Sequence, residues 1–96
     1  MAFLYPVRGP IQEVHPKDGE VFSLEELQAF VGGWIEHVGL EDGRSMWINE
    51  EGKLEGLPWN IAASLLADLP GDVIVGPALV ATNAETGDED EEEGDV

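Results

Sequence analysis

Eight of the last twelve residues of this chain are carboxylates, Glu85, Asp88, Glu89, Asp90, Glu91, Glu92, Glu93 and Asp95, with glycines spaced among them. Such a segment cannot bury enough apolar area to offset the entropy of ordering it, so 84–96 reads as a disordered acidic tail. Whatever folds must do so within 1–83, the size of one domain. A domain this small hides only about 60 to 65 per cent of the surface its unfolded chain exposes, so self-association into a homo-oligomer would add to a modest stability.

Within 1–83, turn signals cut the chain into short elements. Ala2 to Val7 and Ile11 to His15 flank Arg8-Gly9-Pro10 and read as a β-hairpin, with Pro6 and Pro10 confined to strand ends or edges. Ser23 and Glu26 make an S-x-x-E capping box, Phe22 and Leu27 stand at the positions of a hydrophobic staple, and Gly32-Gly33 supplies a stop, so a helix of about two turns is expected. Trp34 to Leu40 and Ser45 to Asn49 form a second hairpin around Asp42-Gly43. On a two-residue period Trp34, Glu36, Val38 and Leu40 share one face and Ile35 and His37 the other, which predicts a sheet partly covered on both sides.

Asn60 is a good N-cap for a second short helix over Ile61 to Leu69, with Ile61, Leu65, Leu66 and Leu69 expected on its buried side; Pro58 at the first helical position is the alternative start. Val73 to Ala81, almost free of charge and interrupted only by Gly76-Pro77, reads as a buried strand with a bulge. The order β-β-α-β-β-α-β lacks the strand-helix alternation of a parallel doubly wound sheet. It predicts an α+β fold with a small antiparallel or mixed sheet of about five strands and two short helices.

Charge narrows the functional classes. The chain has 21 acidic and 4 basic residues, a formal net charge of −17, and up to Ala84 there are still thirteen acids against four bases, a net −9. Direct binding to nucleic acid is disfavoured, because only the scattered Arg8, Lys17, Arg44 and Lys53 could neutralise phosphates. A partner protein with a basic surface is the natural complement, and solubility or salt adaptation is the other reading of the same charge. No apolar stretch approaches the roughly 18 residues a membrane helix needs, and the start Met-Ala-Phe-Leu-Tyr-Pro lacks a basic region followed by an apolar run, so a cytoplasmic protein without membrane partners is expected. With no cysteine, disulfides, thiolate catalysis and sulfur-ligated zinc are excluded.

Three blocks carry a resemblance: Val31-Gly32-Gly33-Trp34-Ile35-Glu36, then Asn49-Glu50-Glu51-Gly52-Lys53-Leu54-Glu55-Gly56-Leu57-Pro58-Trp59-Asn60, then Gly71-Asp72-Val73-Ile74-Val75-Gly76-Pro77-Ala78-Leu79-Val80. In this order, across Ser23 to Val80, they resemble a family of small domains of unknown function found mainly in bacteriophages, plasmids and bacterial genomes. The resemblance transfers no catalytic or binding residue. It implies a mobile-element context, in which a small acidic protein is an accessory factor acting on a host protein, defence systems included.

Motif chemistry is sparse. His15 and His37 stand in no metal-ligand or nucleophile spacing, the phosphate-loop and dinucleotide fingerprints do not occur, and Asp88 to Glu93 has no calcium-loop register. No catalytic residue, cofactor or metal is expected. Trp34, Trp47 and Trp59 are candidates for partner or ligand contact, although core packing is the ordinary role of each. Asn49, Glu50 and Asn60 flank one long connection and with Trp59 could make a polar cluster under an aromatic lid, against the plainer reading of turn and capping chemistry. Three functions follow: a non-enzymatic, protein-binding DNA mimic, working through the folded surface or the acidic tail; an oligomeric binder of a nucleotide signal; and a regulatory or structural accessory whose acidity serves solubility or salt adaptation.

Overall fold

The computed structural model describes residues 1–17, 19, 21–82 and 85. The tail carboxylates Asp88, Glu89, Asp90, Glu91, Glu92 and Glu93 lie outside the described residues, whereas Glu85, expected in the disordered tail, is held on the fold: its carbonyl accepts from the Phe22 amide at 2.7 Å and its carboxylate accepts from the Thr82 amide and pairs with the Met1 amine. Strands β1 (Ala2–Tyr5) and β2 (Gln12–Val14) precede helix α1 (Leu24–Val31); β3 (Ile35–Gly39) and β4 (Ser45–Asn49) precede α2 (Ile61–Ala67) and β5 (Ala78–Ala81). The five strands form one sheet in the order β2-β1-β5-β4-β3, antiparallel at every step. The α+β class and its element order are as the turn signals predict.

Helix α1 begins where its capping box places it. The Ser23 hydroxyl accepts from the Glu26 amide, the Glu26 carboxylate accepts from the Ser23 amide, and Gly32 ends the helix at φ 84, a left-handed conformation that costs glycine little. Its apolar side meets one face of the sheet, where Phe22 and Leu27 pack with Ala2, Trp47, Leu79 and Ala81. The alternate residues Met46, Ile48, Ala78 and Val80 point to the opposite face and pack with Ala63 and Ala67 of α2. The sheet is therefore covered on both sides, and β4 and β5 are buried throughout.

Two expectations need correction. Regular pairing of the last strand starts only at Ala78, because Gly76 takes φ 76 and turns the chain; Val75 makes a single bridge to Trp59, and Ile74 and Gly76 bond backbone to Asn60 and Pro58. The buried side of α2 is also not the leucine stripe. Ala63 and Ala67 are buried, Leu66 and Leu69 are partly packed, and Ile61 and Leu65 remain 59% and 76% exposed.

The physical reason is a polar clasp. The Asn60 side chain caps Ala63 and donates to the carbonyls of Tyr5 and Gly76, and the Ser64 hydroxyl accepts from the Ile74 amide. Positions 60, 63, 64 and 67 share one side of a helix. Bonding 60 and 64 to backbone brings the helix so close that only small residues fit between.

Candidate functional site

The connection between β4 and α2 is a wound, hydrogen-bonded loop. The amides of Gly52, Glu55, Gly56 and Leu57 bond to the carbonyls of Asn49, Glu51, Lys53 and Gly52, respectively, and Asn49 Oδ1 accepts from the Glu51 amide at 2.8 Å. Its underside presses on the turn before β5. A Cβ on Gly52 would stand 2.9 Å from Val75 Cγ2, and Lys53 is ion-paired with Asp72. That pairing, with the Val73 amide, holds the Asp72 carboxyl below the usual aspartate range.

The outer side of the loop shows Glu50, Glu51, Glu55 and Leu54, the last 89% exposed. Trp34 joins it at the β3 end, where its carbonyl accepts from the Glu50 amide at 2.8 Å, and its side chain is 63% exposed. Below lies a cavity of about 120 Å³ whose lining includes Glu36, Glu50, Lys53, Leu54 and Asp72. The two cations nearest the loop in sequence are taken up locally, Lys53 by Asp72 and Arg44 by Asp42 at 2.8 Å. Among the described residues, Glu50, Glu51 and Glu55 make no ion pair.

The six candidate residues do not converge on one pocket. Asn49 is 4% exposed and its Nδ2 donates to the Val31 carbonyl at 3.3 Å, fixing the end of α1. Asn60 is fully buried in its clasp. Trp47 lies in the core beneath His37, ring centroids 4.8 Å apart, and its Nε1 has no hydrogen-bond partner among the described residues. Trp34, Glu50 and Trp59 are exposed. The exposed Leu54 was not singled out from the sequence; its signal is a single large hydrophobe inside a turn of carboxylates and glycines.

Among the described residues no group of three or more His, Asp or Glu could hold a metal ion, and no helix is long and apolar enough to cross a membrane. A shallow groove between β2 and α1, edged by His15, Lys17, Glu25, Glu26 and Phe30, is the other concavity of note.

What the architecture defines is a five-stranded antiparallel α+β domain whose wound β4-α2 loop displays one leucine and three carboxylates. The family model for a domain of unknown function (DUF3846) matches residues 4–93, and the chain belongs to that family. No curated protein and no solved structure matches it.

Proposed function

We propose that the chain is a cytoplasmic, non-enzymatic binding module, the product of a mobile element, that sets its anionic face against a basic, nucleic-acid-contacting surface of a host protein. The observation that carries this reading is the β4-α2 loop. It is fastened to the fold by Gly52, Lys53 and Asn49, and it exposes Leu54 between Glu50, Glu51 and Glu55 in sequence, with the exposed Trp34 tied to it through the bond from the Glu50 amide to the Trp34 carbonyl. Exposed aromatic or aliphatic anchors inside a charged rim are the arrangement in which a few side chains carry affinity while charge sets encounter rate and partner choice.

The nucleotide-signal reading has less support. The cavity under the β4-α2 loop, about 120 Å³, is below the roughly 300–1,000 Å³ of small-molecule sites, and the groove between β2 and α1, about 810 Å³, is open and edged by Glu25 and Glu26 as well as Lys17. The carboxylates of the cavity repel phosphate, and its one lysine is paired with Asp72.

The test is capture from host lysate with the whole chain and with the triple variant Glu50→Gln, Glu51→Gln, Glu55→Gln. The expected result is one dominant partner, retained at low salt, released near about 0.5 M salt and displaced by duplex DNA. Capture indifferent to salt, to DNA and to the triple variant would sink the reading.

A further inference from the structure

We propose that the outer face of α2 is a homodimer interface, occupied by a second copy of this chain. Two stretches of the sequence run for a dozen residues without a charged side chain, 73–84 and 56–67. The first contains the buried strand β5, which explains it. The second contains α2, and it keeps large apolar side chains in solvent: Trp59 is 63% exposed, Ile61 59% and Leu65 76%. Ile61 and Leu65 are four residues apart and so are neighbours on one side of the helix, with Ala62 exposed beside them.

Charge decides the occupant. A host surface chosen by this chain's acidity would be met by carboxylates, and the segment 56–67 has none; along the sequence charge returns with Glu55 before it and with the exposed Asp68 at the C-terminal end of the helix. Two copies that each carry −17 repel wherever acidic surfaces meet, so a charge-free face is where they can approach. A two-fold axis places the same patch on both sides, and an uncharged apolar patch complements itself. The clasp of Asn60 and Ser64 supplies the structural cause, since it turns the alanines inward and leaves the two larger side chains outward.

Association of this kind responds to salt in the opposite sense to charge-driven partner binding. Screening falls from a length of about 10 Å at about 0.1 M to about 3 Å at about 1 M, which removes the repulsion and leaves the apolar attraction.

Sedimentation equilibrium of the whole chain tests this. The dimer dissociation constant should fall at least about tenfold between those two salt concentrations. Leu65→Glu and Ile61→Glu should each raise it by about a hundredfold or more while leaving the thermal melt of the monomer in place, because both side chains are outside the core. A monomer at about 100 µM protein and about 1 M salt overturns the proposal, and so does a dimer that neither variant disturbs. Partner capture through the loop carboxylates is unaffected by either result, so the two readings fail separately.

Discussion

The side-chain amide of Asn60 donates to the carbonyl oxygen of Gly76 at 2.9 Å, and its second proton goes to the Tyr5 carbonyl at 2.8 Å. One residue thereby joins the end of β1, the turn before β5 and the start of α2. Asn60→Ala removes the cap and leaves two carbonyls short of a donor, at a combined cost of about 3 kcal/mol or more. Asn60→Asp keeps the cap but points an oxygen at both carbonyls, so it should be no better than alanine. Urea unfolding measures both; an alanine cost under about 1 kcal/mol would contradict the clasp.

Gly52 and Val75 form the other close approach. A Cβ on Gly52 meets Val75 Cγ2 at 2.9 Å and the Asn49 carbonyl at 3.3 Å, so the loop must lift from the turn below it. Gly52→Ala should cost about 1–3 kcal/mol, the range for overpacking. Adding Val75→Ala clears one of the two contacts, so the pair should be less destabilised than the sum of the single variants. Strict additivity in a double-mutant cycle would mean that the loop does not rest on Val75.

Much of this fold was legible because its signals are local. Ser23 and Glu26 start α1, Gly32 stops it, and the alternation Ile35, His37 against Glu36, Val38 assigns faces correctly. The buried side of α2 was not legible. Hydrophobicity ranks Ile61 and Leu65 above Ala63 and Ala67, yet bonds from Asn60 and Ser64 to backbone far away in sequence select the alanine side. The site divides in the same way. Composition made Trp34 and Trp59 candidates, and both are exposed, whereas the hydrogen bonds that occupy Asn49 and Asn60 depend on strands and turns that only the fold brings near.

Salt should raise the stability of this protein at neutral pH. The exposed pairs Arg44 with Asp42 and Lys53 with Asp72 are weakened by screening, but exposed pairs contribute little to stability because water already screens them. Repulsion among the surplus carboxylates of a −17 chain is screened at the same time, and it is the larger effect. The melting temperature should therefore climb by several degrees between about 0.1 and 1 M sodium chloride. To separate this from dimer formation the melt is repeated with Leu65→Glu, which should climb similarly. A flat or falling melting temperature in that variant would contradict self-repulsion as the dominant charge term.

The capping box supplies a pH signature. Amide hydrogen bonds from Ser23 and from Lys17, at 2.9 and 2.8 Å, hold the Glu26 carboxyl below the usual glutamate range. A carboxyl that is more acidic in the folded than in the unfolded chain stabilises the fold above its unfolded value of about 4.3 and loses that contribution as pH falls through the folded value. Glu26→Gln can accept only one of the two amide bonds and carries no charge at the helix N-terminus, so it should melt below the parent at about pH 6. As pH drops toward about 3 the parent's carboxyl takes up its proton and the two melting temperatures should converge. Comparing the pair cancels the general relief of repulsion that acid brings to both proteins. A gap that stays constant from about pH 6 to about pH 3 would show that ionised Glu26 does not anchor the start of α1.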